Sequence, residues 1–153
     1  MAEEAKVKVV QRNKKAFFNY EILERLEAGL VLKGSEVKSI RDGKVSIQEA
    51  YGKVRGDEVW VVGMDVSPYP QAGPYNNHEP RRPRKLLLHR REIQRLIGKT
   101  QEKGLTLVPL ALYFKDGYAK LEIGLARGKK QYDKRQAIRE REAKRILQRR
   151  MMR

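Results

Sequence analysis

The chain has 153 residues, with 35 Lys and Arg against 19 Asp and Glu, a net charge of +16 and no cysteine. That length fits one domain with a modest core, and the charge selects a polyanionic partner, nucleic acid first and an anionic membrane surface second, because each contacted phosphate releases counterions. The absence of cysteine excludes disulfides, thiolate nucleophiles and thiolate metal sites. Met1-Ala2-Glu3-Glu4-Ala5-Lys6 is too charged for a signal peptide and no apolar run approaches bilayer length, so a soluble cytoplasmic protein is expected.

The charge is unevenly spread. From Arg127 to Arg153 there are twelve Lys and Arg against three acids, so this tail carries +9 of the total. Two units are therefore expected: a folded body over 1–126 and a basic tail over 127–153, disordered when free because it has too few apolar residues to build a core.

In chain order, residues 1–10 show no apolar period and read as a loose arm. The basic stretch Arg12, Lys14 and Lys15 then leads into Phe18, Tyr20, Ile22 and Leu26, which suggest a strand face. Glu27 to Gly34 reads as a short β run between glycines, with a bend in a closing barrel. Ser35 reads as the cap of a short helix whose face is Val37, Ile40 and Arg41, stopped by Asp42-Gly43. Val45 to Val54 and Val59 to Met64 read as strands around the turn Arg55-Gly56-Asp57-Glu58, with Tyr51 and Trp60 expected in the core.

Ser67 to Arg84 holds five of the six prolines and reads as a long surface loop. Arg81, Arg82, Arg84 and Lys85 at its end form a candidate phosphate grip. His89 to Lys99 has a helical period, with Ile93, Leu96 and Ile97 on one side and Arg91 and Arg95 on the other. Leu105 to Phe114 and Tyr118 to Ala126 flank Asp116-Gly117, a strong hairpin signal, and Pro109 implies an edge or a bulge in the first of these strands. Together these elements predict a mainly β protein, a small antiparallel OB-like barrel with inserted helices.

Catalytic and metal signals are missing. His78 and His89 are the only histidines, the serines lie in no nucleophile elbow, and no phosphate-binding or dinucleotide loop is present. Asp57, Glu58 and Asp65 read as turn chemistry before a two-metal nuclease cluster. No enzyme activity, metal or cofactor is expected. In the tail, Asp133 is a candidate cap for a helix running to about Gln148. Repulsion along it, Arg141 against Arg145 for example, would be cancelled by phosphates, so the helix is expected to form on RNA.

Several ordered motifs carry a resemblance: Asn13-Lys14-Lys15-Ala16 with Tyr20, Glu27-Ala28-Gly29-Leu30, Gly34-Ser35-Glu36-Val37-Lys38-Ser39-Ile40-Arg41, Arg84-Lys85-Leu86-Leu87-Leu88, and Gly124-Leu125-Ala126-Arg127-Gly128-Lys129-Lys130 with Asp133-Lys134-Arg135. From about Asn13 onward the chain resembles the SsrA-binding protein (SmpB) family. The resemblance implies an OB-like barrel that binds the tRNA-like domain of transfer-messenger RNA (tmRNA). With elongation factor Tu, engaged indirectly through the RNA, such a protein delivers alanylated tmRNA to stalled ribosomes in trans-translation.

Carried over by motif, Glu27, Leu87 and Lys120 fall on the RNA-binding surface, with Asn13, Lys38, Arg41, Arg84 and Lys85 as further candidates. Arg127, Lys129, Lys130, Tyr132, Asp133, Lys134 and Arg135 are the implied ribosome-binding part of the tail, which lies as a helix in the empty messenger channel against small-subunit RNA. Tyr132 departs from the histidine that family members often carry; its ring keeps stacking capacity without a histidine proton. A monomer with no membrane partner is expected. A general RNA chaperone or ribosomal protein on the same barrel is the alternative, with a nuclease third.

Overall fold

The computed structural model describes residues 6–102, 104–129 and 131–151, the side chains of 131–134 excepted. Within them the order is β1 (Val7–Arg12), α1 (Lys14–Asn19), β2 (Tyr20–Leu30), α2 (Gly34–Arg41), β3 (Val45–Ser46), β4 (Tyr51–Arg55), β5 (Glu58–Val62), β6 (Asp65–Val66), a 3-10 turn (Pro70–Ala72), β7 (Arg84–Leu87), α3 (Arg90–Thr100), β8 (Leu105–Lys115), β9 (Tyr118–Gly128) and α4 (Gln131–Met151). The main sheet runs β1-β8-β4-β5-β7-β2-β9, and β9 pairs again with β8. That last pairing closes six strands into a barrel, and full closure leaves no open edge between β8 and β9. The fold is the expected antiparallel OB-like barrel.

Alternation along each strand puts Ala28, Val59, Val61, Leu86, Leu107, Leu112, Leu121 and Ile123 inside, where Ile40 of α2 and Leu96 of α3 cover the same core. The hairpin β8–β9 turns at Asp116 and Gly117, both at positive φ (50° and 86°), the type I′ geometry that matches strand twist.

Pro109 does mark a bulge. The β8–β9 register slips between Pro109 and Ala111. One extra residue reverses the facing of everything beyond it. Thus Leu107 and Leu112 both point inward, while Val108 and Leu110 point outward into a second small cluster with Ala16 and Ala126, under α1. A matching slip in β2 between Ile22 and Glu24 lets Ile22 join that cluster. Gly124 supplies the room, since a Cβ there would lie 3.0 Å from a Leu110 methyl and 3.2 Å from an Ile22 methyl.

Several local expectations are corrected. Val7–Arg12 is no loose arm; it pairs with the outer half of β8, Val9 opposite Tyr113. The stretch before Tyr20 is helix α1, because Asn13 caps it and Ala16 anchors it to the barrel wall. Helix α2 starts at Gly34, with Lys33 in the cap position and Glu36 accepting from the Lys33 N–H at 2.8 Å. Ser35 instead lies buried and hydrogen-bonded to His78 Nδ1 at 2.9 Å. His78 Nε2 faces the Val66 carbonyl at 2.9 Å, so the proton sits on Nε2 and the Ser35 hydroxyl donates to Nδ1. Tyr51 is 46% exposed and Trp60 half-buried, because Val59 and Val61 take the inward positions of β5. The expected strand from Val45 to Val54 is two strands, β3 and β4.

Candidate nucleic-acid interface

The register across four strands assembles the outer face of the barrel. Gly29 of β2 lies opposite Leu87 of β7 on one side and Lys120 of β9 on the other, and Lys120 lies opposite Tyr113 of β8. Residues opposite one another share a face, so Leu87, Lys120 and Tyr113 form one lateral row. Glu27, two residues before Gly29, stands on the same face opposite Glu122. Three of the residues implied by resemblance, Glu27, Leu87 and Lys120, are thereby brought together from three separate strands. Leu87 is 54% exposed, a large apolar side chain left on a polar face.

Glu27 sits at one wall of a groove of about 330 Å³, with Val7, Val9, Phe17, Arg25 and Tyr113 around it. The Tyr113 hydroxyl donates to Glu27 Oε2 at 2.5 Å, and Lys115 Nζ approaches Oε1 at 3.4 Å. The tyrosine hydrogen bond holds the Glu27 carboxyl below its ordinary range against the opposing effect of burial, with Lys115 and Lys120 adding to the depression. Burial and the adjacent carboxylate push the Tyr113 phenol well above its usual value. The result is an ionised acceptor within a cationic surface. Arg25 lies over the Phe17 ring at 5.1 Å, adding a planar cation to the rim.

Arg41 and Lys38 are exposed on α2. Arg41 lies 5.6 Å over Phe114 and lines a neighbouring groove with Lys6, Lys8 and Val7. Val7 belongs to both grooves, so the Arg41 and Glu27 surfaces adjoin across β1. Lys38 lies 5.5 Å over Tyr69.

Two candidates are structural. Asn13 is 3% exposed: its Nδ2 donates to the Pro109 carbonyl at 2.9 Å, its Oδ1 accepts from Ala16 N–H at 3.2 Å, and its own N–H reaches the Leu110 carbonyl at 2.8 Å. The side chain ties the α1 cap to the β8 bulge, which gives it a structural task. Asn13→Ala is expected to cost about 1–3 kcal/mol in chemical denaturation, through the lost cap and an orphaned carbonyl, with the RNA affinity of the folded protein unchanged.

Arg84 is the second. It is fully buried, donating from Nε to Glu36 Oε2 at 2.5 Å and to the carbonyls of Met64 (2.6 Å) and Pro80 (3.0 Å). Burial takes Arg84 out of the expected phosphate grip, whereas Arg81 and Lys85 stay on the surface in ion pairs. Arg82 also bonds Glu36, Arg81 lies 3.5 Å from Asp65, and Lys85 lies 3.3 Å from Glu58, whose other oxygen accepts from Trp60 Nε1. Arg82 and Arg84 share Glu36, Arg81 and Lys85 each pair with a separate acid, and Lys85 alone stands on the same outer strand face as Leu87.

Sequence reasoning missed Glu36 and Tyr113. The only signal for Glu36 was a charged residue among apolar positions of a short helix. For Tyr113 there was none until the bulge set its facing.

In the tail, Arg127 and Arg135 are exposed, and Lys129 Nζ reaches the Phe17 carbonyl at 3.2 Å. Lys130 and the side chains of Tyr132, Asp133 and Lys134 lie outside the described residues. The tail helix α4 spans Gln131–Met151, longer than the expected Asp133 to Gln148. It borders the body at two grooves: Arg141 lies 5.4 Å over Phe18, with Ile138, Arg141 and Arg145 lining one groove with Lys14 and Lys15 of α1, and Gln136, Ala137 and Glu140 line another with Glu21 of β2 and Lys129. Among the described residues no helix is long and apolar enough to cross a membrane, and no group of His, Asp or Glu could hold a metal.

Fold and surface define a class: a small OB-like barrel whose outer face combines cations, an acceptor and exposed apolar groups, followed by a cationic helix, the arrangement of a nucleic-acid-binding module. A family model described as "SmpB protein" matches residues 10–153. Among similar proteins, the SsrA-binding protein of Carboxydothermus hydrogenoformans is 55% identical over 141 residues, covering 92% of this chain and 94% of its own. That of Bacillus cytotoxicus is 56% identical over 142 residues, covering 93% and 91%. A solved structure described as "tmRNA-SmpB: a journey to the center of the bacterial ribosome" superposes with a TM-score of 0.66 at 48% identity, covering 84% of this chain and 94% of its own. The chain belongs to the SmpB family.

Proposed function

We propose that this protein is the adaptor of trans-translation: it binds the tRNA-like domain of tmRNA on the outer barrel face, helps deliver the alanylated RNA to stalled ribosomes, and places its tail helix in the empty messenger channel. The observation that carries the reading is the row Leu87, Lys120 and Tyr113 with Glu27 beside it. Lys120 supplies an ammonium for phosphate, Leu87 an apolar contact for a base or sugar, and Glu27 a carboxylate with lone pairs left for a donor group of the RNA. A nonspecific polyanion binder gains nothing from a carboxylate in a basic surface, which repels every phosphate that does not fit around it. The family relatives and the tmRNA–SmpB neighbour support the same partner.

The tail fits its part by charge and exposure. The described arginines of α4 and Lys144 face solvent, and α4 borders the rest of the protein at two open grooves, one with Lys14, Lys15 and Phe18 and one with Glu21 and Lys129. A helix polar all round draws little stability from packing, so its order depends on the ribosomal RNA that lines the channel. The protein works as a binding adaptor without catalysis, in the cytoplasm where ribosomes stall, and meets elongation factor Tu through the RNA.

The test is competition binding at about physiological salt, wild type against a Glu27→Ala, Lys120→Ala double variant, with a tRNA-like domain and an unstructured RNA. Expected is wild-type preference for the tRNA-like domain that the variant loses. Equal binding to both RNAs, unchanged in the variant, would favour a general RNA chaperone and overturn the adaptor reading.

A further inference from the structure

Resting on that reading, we propose that Tyr113 is a positioning residue for recognition of the tRNA-like domain: its hydroxyl holds the Glu27 carboxylate in one orientation, so that the free lone pairs of Glu27 meet a donor of the RNA. The argument begins with the β8 bulge. Without the extra residue between Pro109 and Ala111, Tyr113 would share the facing of Leu107 and point into the barrel. The bulge turns it outward, opposite Lys120, and β1 pairs alongside with Val9 opposite it; it is 9% exposed although it lies on the outer face.

Among the described residues, the only side-chain partner of its hydroxyl is Glu27 Oε2. Glu27 itself is a flexible side chain 38% exposed, at the foot of a groove of nucleotide size. Left free it would sample several rotamers and lean toward the surrounding cations. Those facing it are Lys115 of β8, Lys120 of β9, Arg12 of β1 and Arg25 of β2, with Glu122 opposite as the one competing acid. A rigid phenol, fixed by packing and offering one donor, selects the rotamer that cations at longer range do not. The acceptor is therefore aimed before the RNA arrives, which spares ordering entropy on binding.

Tyr113→Phe keeps the ring and removes only the hydroxyl. It is expected to weaken binding of the tRNA-like domain about tenfold while leaving binding of unstructured RNA unchanged. In a Glu27→Ala background the same change is expected to add nothing, since the hydroxyl then has no carboxylate to hold. In the free protein, the Glu27 carboxyl carbon followed by NMR titration should move upward from its depressed midpoint in Tyr113→Phe, which a merely packing role would not produce.

A Tyr113→Phe protein that binds like wild type overturns the inference, as does a loss of equal size with and without Glu27. If the wild type shows no preference for the tRNA-like domain, the functional reading falls and this inference with it. If the preference exists and depends on Glu27 but not on Tyr113, the inference alone falls.

Discussion

Glu36→Gln is expected to melt on the order of 10 °C below the wild type, the largest stability effect we foresee from one side chain. Glu36 is fully buried and holds three elements together. It accepts from the Lys33 N–H at the start of α2, from Arg82 at the end of the proline-rich loop and from Arg84 at the start of β7. Arg84 in turn bonds the carbonyls of Met64 and Pro80, so its guanidinium has its donors matched inside the protein. Glutamine keeps the shape and removes the charge. Two guanidinium groups then share one neutral amide oxygen, and that of Arg84 stays buried without a counter-ion, a situation that costs about 3–5 kcal/mol.

The same clamp sets an acid limb. Burial pushes the Glu36 carboxyl up, but the hydrogen bonds from Arg82 and the Lys33 N–H and the charge of Arg84 outweigh it, holding the group below its ordinary 4.5. A carboxyl depressed in the folded state contributes stability that is complete above that ordinary value and lost as pH falls through the lower folded one. Denaturation across this range should show the wild type losing stability below about pH 4.5 while Glu36→Gln, already weakened, lacks that component. Equal melting temperatures at neutral pH would remove the clamp from the account of the fold.

Truncation after Lys129 is expected to separate the two halves of the proposed function. The barrel cores contain no described side chain of α4, so the shortened chain should fold and keep its preference for the tRNA-like domain. Its general affinity for RNA should fall and become less salt-dependent, because the removed residues 130–153 carry +7 of the +16 charge. In a reconstituted translation system with stalled ribosomes, tagging should be abolished. A truncated protein that still supports tagging would show that the tail is a solubilising appendage and confine the function to the barrel.

Much of this was legible in the chain itself. The hairpin at Asp116-Gly117, the bulge at Pro109, the α3 period around Leu96 and the separation of a basic tail are local facts, written in turn chemistry, alternation and charge. The motif resemblance located Glu27, Leu87 and Lys120 without showing why they belong together. What the chain could not display was facing and pairing. Asn13 and Arg84 read as polar surface groups because polarity usually means exposure, yet a bulge carbonyl needed the first and a buried carboxylate needed the second. Tyr51 and Trp60 read as core because aromatics in strands usually are, yet the inward positions of β5 had gone to Val59 and Val61.

The sequence by itself determined the architecture class, the polyanionic partner and the residues from which a site could be drawn. These depend on composition and near-neighbour order, to which every few residues contribute independently. Only the tertiary structure decided which of those residues meet. Strand register across β7, β2, β9 and β8, and one extra residue in β8, placed Leu87, Lys120, Tyr113 and Glu27 on one face and took Asn13 and Arg84 inside. Register is a long-range choice: the most distant pairing in that row, Gly29 with Lys120, spans most of the chain, and no window of sequence contains both partners.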